Sequence, residues 1–410
     1  MTKPFWPLAV SSWGPRERAV AHAVIDGDQH TMGSHVRVFE EAFARHVGSR
    51  YAVMTNSGSS ANLIGVAALR CFLNRDYELL VLVPAIAWAT TYAPFAQHGC
   101  RLIVCDIDPL TLNVNPDQVH DAINDKRWRP PDIIVGVSVL GNPAPLQELN
   151  ALCSQYGALF FEDNCESLGA RIGGKHCGTF GNVGTFSFFF SHHLNTVEGG
   201  MLVTDSQELY ELAVCLRAHG WTRDLPLNSP LRPQTAGEVD GLDSAYQFIL
   251  PGYNVRPTEL TAAVGLVQLD RLAEFELIRR TNAIEFELLF ADDERWTTQR
   301  GTSCTSVSQR RLHFIGHTVP FGFTLVFRSP KTRWAASAEM TEAGIEHRLI
   351  TGGSFARHPA AARYDWRYAT PEGTPHANHA HDCGLFVGNH PVDLTEQIRT
   401  LHRLLDKEIK

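Results

Sequence analysis

The stretch Ile133–Asp163, IIVGVSVLGNPAPLQELNALCSQYGALFFED, decides the fold class. It opens on one continuous apolar run, Ile133–Val139, and closes on another, Leu159–Asp163. Pro145–Tyr156 between them carries helical periodicity. A strand buried on both faces reads as an unbroken apolar run, because neither face meets water. The same kind of run recurs at Leu79–Pro84, Leu102–Asp106, Gly184–Phe190 and Met201–Asp205, with a helical pattern at Ser60–Phe72. Alternating strands and helices predict a large α/β domain with a mainly parallel sheet, over residues 1–260.

From Glu259 to Leu277 the pattern is helical and leads into a smaller α+β C-terminal domain, residues 261–410. Strands are expected there near Phe321–Phe327 and Phe386–Val387. The Pro/Gly/Asp-rich segment Asp224–Gly241 predicts a long loop. Loops of that length in a compact chain are usually functional or mobile. No internal repeat or low-complexity segment interrupts the pattern.

The 410 residues are 44% hydrophobic and 20% charged, as in a soluble globular protein with a large core. A net charge of -8 argues against nucleic acid or an acidic membrane as the main partner. No apolar run is long enough to span a bilayer, and Met1-Thr-Lys-Pro lacks the apolar core of a signal peptide. Nine scattered cysteines read as thiols buried in a reducing compartment, so a cytoplasmic protein is expected. No cysteine pair has the spacing of a zinc or iron–sulfur site, and no metal is expected.

Several segments at the ends of the runs carry chemistry. Thr55-Asn-Ser-Gly-Ser-Ser-Ala61 opens a helix, where Gly58 permits a tight turn and free N–H groups suit a phosphate. By itself this is equally an N-cap with a flexible glycine. Trp88, in Pro84-Ala-Ile-Ala-Trp-Ala-Thr90, is by composition as readily a core tryptophan as a ligand contact. Glu162-Asp-Asn-Cys-Glu166 ends a strand, where open α/β sheets place ligand groups. His192 sits in the apolar stretch Thr185-Phe-Ser-Phe-Phe-Phe-Ser-His-His-Leu-Asn-Thr-Val-Glu-Gly-Gly200. Such a histidine is either structural or a proton carrier.

Taken together, from Ser57 to Glu259, these segments resemble the DegT/DnrJ/EryC1/StrS sugar aminotransferases in order and spacing. The resemblance implies an aspartate-aminotransferase-like (fold type I) large domain that binds pyridoxal 5'-phosphate (PLP) or pyridoxamine 5'-phosphate (PMP). It places Gly58, Ser59 and Ser187 on the cofactor phosphate, Trp88 against the pyridine ring and Asp163 on the ring nitrogen. Glu166 stands near the ring hydroxyl, where many members have glutamine, as a second acid or base or as a hydrogen-bond partner. Gly252-Tyr-Asn-Val-Arg-Pro-Thr-Glu259 resembles a motif whose asparagine reaches the neighbouring subunit's phosphate. Asn254 in that role implies a homodimer with shared active sites.

The family reads Ser-Phe-x-x-x-Lys-x-x-x-x-x-Glu-Gly-Gly where this chain has Ser187 to Gly200, and His192 occupies the lysine position. That lysine normally carries the cofactor as a Schiff base. An imidazole cannot do so, yet it moves protons near neutral pH from an ordinary pKa of about 6.5. The six lysines are Lys3, Lys126, Lys175, Lys331, Lys407 and Lys410, and Lys175, nearest in sequence, reads as a hairpin tip.

Sugar 3-dehydratases within the family share such a histidine. Those with an iron–sulfur cluster carry a close Cys-x-Cys pair in the C-terminal half. Here only Cys215, Cys304 and Cys383 follow residue 200, so neither cluster nor reductase partner is expected. Similarity to the metal-free type runs through Glu162–Gly169, Phe188–His193, Leu216–Arg223 and Leu250–Pro257, and continues through Gly316–Phe327 and Gly384–His390. It implies a lyase that removes the C-3 hydroxyl of a nucleotide-linked 4-keto-6-deoxy sugar, with L-glutamate regenerating PMP. A GDP-linked 4-keto-6-deoxymannose is the expected substrate on that resemblance alone. His219 either enters the same site, across the dimer, or is a helix-end histidine. Arg348 meets a phosphate or the glutamate carboxylate, or is a surface arginine. Two other functions stay open at this point: a sugar-nucleotide 4-aminotransferase using another lysine, and a non-catalytic PLP-fold binding protein.

Overall fold

The computed structural model describes residues 4–233, 243, 245–291, 293–301 and 318–408. Cys304 and residues 234–241 of the long loop expected over Asp224–Gly241 lie outside the described residues. Among the described residues fourteen strands follow one another. In the first half they are β1 (Tyr51–Thr55), β2 (Leu80–Pro84), β3 (Arg101–Cys105), β4 (Ile133–Val137), β5 (Leu159–Asp163), β6 (Arg171–Ile172) and β7 (Lys175–His176). Then come β8 (Val183–Ser187), β9 (Gly200–Thr204), β10 (Trp296–Thr297), β11 (Gly322–Phe327), β12 (His347–Arg348), β13 (Trp366–Tyr368) and β14 (Gly384–Gly388).

Eight of them form the large sheet in the order β1-β9-β8-β5-β4-β2-β3-β13. Pairing is parallel from β8 through β13, and β9 runs antiparallel to both its neighbours. The unbroken apolar runs have the expected cause. Val81, Val83, Leu102, Val104, Ile133 and Val135 enter one core, while Leu82, Ile103, Cys105 and Ile134 enter another on the opposite face. Successive side chains point to opposite faces, so a sheet covered on both sides needs apolar residues at every position. Helix Gly58–Leu73 covers the first face and presses close: a side chain at Gly65 would meet the Phe161 ring at 2.9 Å. Helices Pro116–Asn124 and Leu146–Tyr156 cover the second.

Two expectations need correction. The run Gly184–Phe190 is not one strand, because β8 ends at Ser187. Phe188 stays buried beside Phe39 and Phe43, whereas Phe189 and Phe190 turn outward as the chain leaves the sheet. Apolarity there marks a core contact and a cavity wall rather than continued pairing. The helix expected over Glu259–Leu277 breaks at Arg271 into Glu259–Asp270 and Leu272–Phe290. At the break, Arg271 bonds the Ser12 carbonyl and Glu17. Glu259 itself is buried and accepts backbone N–H bonds from Gly33, His35 and Val36, capping helix Ser34–Val47.

The second sheet is antiparallel, in the order β10-β11-β14-β12. It packs on a separate core that includes Phe286, Phe323, Met340, Leu385 and Leu401. Two segments cross the division expected near residue 260. Strand β13 joins the large sheet beside β3. Trp6 is fully buried in the second core and donates its indole N–H to the Gly388 carbonyl at 2.9 Å. Trp6→Ala is expected to cost about 3–5 kcal/mol, the usual range for emptying a buried aromatic site, measured by chemical denaturation against the parent protein.

Candidate active site

A cavity of about 550 Å³ opens at the C-terminal edge of the parallel strands. Gly58, Ser59, Trp88, Asp163, Glu166, Ser187 and His192 all line it. Residues separated by more than a hundred positions meet here because β5 and β8 end side by side and helix Gly58–Leu73 starts beside them.

Ser57 caps that helix, accepting from the Ser60 N–H at 3.1 Å. The first amides of a helix have no intrahelical acceptor and carry the positive end of its dipole. Gly58 is needed here for a reason other than the tight turn expected from sequence. Its φ is not positive, but a Cβ would lie 2.5 Å from the Ser187 Cβ and 3.0 Å from the Cys165 Sγ. Only a glycine lets the helix start sit against Ser187. Ser59 donates its hydroxyl to Thr90 at 3.0 Å. The result is a pocket of N–H and hydroxyl donors suited to a phosphate dianion.

Asp163 ends β5 and is buried. Its Oδ2 accepts from Asn62 Nδ2 at 2.9 Å and Thr91 Oγ1 at 2.7 Å, and its Oδ1 accepts from the Cys165 N–H at 3.1 Å. Asn62 is fixed in turn by the Thr185 hydroxyl at 2.6 Å. Trp88 precedes helix Ala89–Gln97 and is 53% exposed, so it belongs to the cavity wall and not to the core.

Glu166 is half-buried. Its Oε2 accepts from the Leu140 N–H at 3.0 Å and the Thr351 hydroxyl at 3.1 Å. Both donors are non-glycine residues in the left-handed region, with φ of 51° and 43°. Such backbone is costly and tends to collect at functional sites. Burial raises the Glu166 pKa to about 7, and the Asp163 charge pushes the same way against the two donors. Near neutral pH this group both gives and takes a proton.

His192 lies in the turn after β8, with its N–H bonded to the Phe189 carbonyl at 2.9 Å. The ring packs between Phe189 and Phe321, with centroids at 5.8 and 5.1 Å. Its Nδ1 is 3.4 Å from the Ser191 hydroxyl. Burial, helped by the Arg279 guanidinium, pushes its pKa down to about 3, well below the ordinary value. The imidazole is therefore uncharged at neutral pH and available as an acceptor.

His219 and Asn254 do not line this cavity. They lie together on the surface, both exposed, on segments joined by the Ala218–Asn254 bridge, and His219 has a φ of 67°. Arg348, on β12, does line the cavity. Lys175 begins the second strand of a hairpin, with its Nζ over the Phe180 ring at 4.7 Å. Among the described residues no lysine lines the cavity, no His/Cys/Asp/Glu group is placed to hold a metal ion, and no helix is long and apolar enough to cross a membrane.

Sequence reading missed Asn62, Thr91, Thr185, Leu140, Thr351 and Arg279. Asn62 had a signal: it is a lone amide in the otherwise small and apolar helix GSSANLIGVAALRCFL. Leu140 and Thr351 act through backbone geometry, which residue type does not announce.

The chain is similar to known proteins. The family model of the DegT/DnrJ/EryC1/StrS aminotransferases matches residues 12–401. The GDP-4-keto-6-deoxy-D-mannose 3-dehydratase of Yersinia pseudotuberculosis is 40% identical over 408 residues, covering 98% of each chain. The structure of the E. coli GDP-4-keto-6-deoxy-D-mannose-3-dehydratase with bound hydrated PLP superposes with a TM-score of 0.89 at 36% identity, covering 98% of this chain and 100% of that one. A structure of GDP-4-keto-6-deoxymannose-3-dehydratase with a trapped PLP-glutamate geminal diamine gives 0.88 at 37% identity, with coverage of 98% and 100%.

The raised pKa of Glu166 has a stability consequence. The folded carboxyl binds its proton more tightly than the unfolded one, so unfolding releases a proton. The parent protein should lose stability relative to Glu166→Gln as pH rises from about 4.5 to about 7, and the gap should be flat outside that window. Unfolding free energies of both proteins across pH 4–8 would check this.

Proposed function

The chain belongs to the DegT/DnrJ/EryC1/StrS aminotransferase family, and from that membership we propose that it is a PLP/PMP-dependent sugar 3-dehydratase. Its substrate is a nucleotide-linked 4-keto-6-deoxy sugar, GDP-4-keto-6-deoxy-D-mannose by similarity to the relatives above. One observation carries the choice of reaction: among the described residues the cavity offers an uncharged histidine and no lysine. An aminotransferase of this family needs that lysine. Lys175, the nearest alternative in sequence, sits on a hairpin over Phe180.

The residues present fit the cofactor. Gly58, Ser59 and Ser187 form a donor-lined cradle that admits no side chain at its floor, as a phosphate requires. Trp88 offers a ring face, and Asp163 offers a carboxylate fixed by three donors for a protonated ring nitrogen. The cavity volume lies within the range of small-molecule sites, about 300–1,000 Å³. When bound, PMP supplies an amine for the sugar ketone and a ring that withdraws electrons as the C-3 hydroxyl leaves.

The protein's own part is placement and proton transfer. Glu166, poised near neutral pH, lines the same cavity as Asp163 and would donate to the ring oxygen of a bound cofactor. His192 uses Nε2, because Nδ1 faces the Ser191 hydroxyl, and it accepts a proton and returns one to the departing hydroxyl. Arg348 at the cavity wall is a cation for a carboxylate or a phosphate. Over a full turnover the sugar exchanges its C-3 hydroxyl for hydrogen. Glutamate is oxidised to 2-oxoglutarate and its nitrogen leaves as ammonia, so atoms and electrons balance. His219 and Asn254 face outward side by side, which fits their use in the site of a second copy, making the unit a homodimer with shared sites.

Mass spectrometry of reactions containing PLP, glutamate and a panel of nucleotide 4-keto-6-deoxy sugars is the direct test. A product one oxygen lighter than its substrate, with equal 2-oxoglutarate, is expected. An amino sugar would mean an aminotransferase, and no turnover would favour a binding protein. Borohydride treatment should leave no pyridoxyl-lysine peptide. His192→Asn should keep cofactor binding and lose about a hundredfold to ten-thousandfold in dehydration rate, the usual contribution of a general acid–base group. Asn254→Ala should weaken cofactor binding, and a fully active monomer at assay concentration would refute the shared site.

A further inference from the structure

Arg279 is the most unusual charged group in the molecule. It lies on helix Leu272–Phe290, is 1% exposed, and makes no ion pair among the described residues. A buried cation without a counter-charge is strongly disfavoured, and burial alone drives its own pKa down to about 9. Its bonds are all to backbone carbonyls. Nη1 donates to Asn389 and Nη2 to His192 at 3.3 Å, while Nε has no partner. Asn389 ties the arrangement together, donating to the Arg279 carbonyl at 3.0 Å and the Pro320 carbonyl at 2.9 Å. On the other side of the same turn, the His193 ring bonds the Val319 carbonyl at 2.8 Å.

We propose that Arg279 is a positioning residue for His192: from behind the cavity wall its guanidinium holds the carbonyl of the residue whose imidazole moves the proton. This rests on the reading of His192 as the proton carrier. The hydrogen bond and the packing of Phe321 against the ring fix where the imidazole points. The charge does a second job. Asp163, Glu166, Glu198 and Arg348 share the cavity with His192, His193 adjoins it, and Arg280 behind is paired with Glu276 at 3.3 Å. Beside burial, the Arg279 guanidinium is the charge that opposes protonation of His192. Burial lowers the pKa of the ring most and the cation adds to it, while the bond to the His192 carbonyl is a functional reason for a group that stability alone disfavours.

The test compares Arg279→Gln, Arg279→Lys and His192→Asn as cofactor-loaded full-length proteins. The readouts are kcat and KM for dehydration against pH, and an NMR titration of the histidines in which His192→Asn assigns the signal. Arg279→Gln should lower kcat about tenfold or more through misplacement of the base, with little change in KM. Its acid limb and the His192 titration should move to higher pH by about one unit. Arg279→Lys keeps the charge without the paired bonds, so it should share the kcat loss while the titration stays low. A folded Arg279→Gln with the parent's kcat and pH profile would overturn the proposal. So would a His192 in the unmodified protein that titrates near its ordinary 6.5, a measurement that needs no variant to fold. Retained dehydration in His192→Asn would instead remove the proton-carrier reading, and the titration of the Arg279 variants would still report whether the guanidinium governs the ring.

Discussion

The site depends on one close approach, that of the first turn of helix Gly58–Leu73 to the end of β8. The space between Gly58 and Ser187 is too small for a Cβ, so backbone and hydroxyl donors meet with nothing between them. One turn further along the helix, Asn62 reaches Asp163 on β5 and is itself gripped by Thr185 on β8. Helix and two strands are thus locked into one frame by a buried polar chain in which the bonds stabilise one another. A phosphate on the helix start and a ring nitrogen on Asp163 would be held at a separation set by that frame.

Electrostatics then divides labour among groups of similar kind. Asp163 and Glu166 are three residues apart on the same strand exit, yet they differ in partners. Asp163 receives three donors, while Glu166 receives two on one oxygen and is pushed toward protonation by burial and by its neighbour. A carboxyl fixed by three donors and one raised toward neutrality can serve different roles in one cavity. His192 and Arg279 form the complementary pair, a base whose pKa is lowered by burial and, to a smaller degree, by the cation behind it. Strained backbone at Leu140 and Thr351 and the unpaired Arg279 are the local costs of this arrangement.

Much of this was legible in the sequence. The runs around Ile133 and Leu159 announced a sheet covered on both faces, and they form β4 and β5. Gly58, Ser59, Trp88, Asp163, Glu166, Ser187 and His192 were singled out in advance and share one cavity. What remained hidden had no periodic or compositional mark. The outward turn at Phe189 looks like continued strand because its residues are apolar. The Gly58 requirement is one of clearance from a residue 129 positions later, not of backbone conformation. Arg279 is one arginine in an ordinary helix until the His192 carbonyl is seen beside it. His219 and Asn254, site residues by resemblance, lie outside the cavity and face outward.

The indole of Trp6 bonds the carbonyl of Gly388 across 382 positions of chain. Its pocket is built from β11, β14 and the helices around them, most of which are among the last parts to be synthesised. A chain emerging from the ribosome at about 5–20 residues per second therefore carries an exposed tryptophan near its leading end for tens of seconds before any pocket exists. The large sheet can assemble meanwhile, but the second core waits for residues as late as Leu405. Contacts of such long sequence separation are slow to form and leave apolar surface uncovered while they wait. Until that core closes, the Trp6 indole is uncovered apolar surface of the kind that makes incomplete chains prone to aggregate.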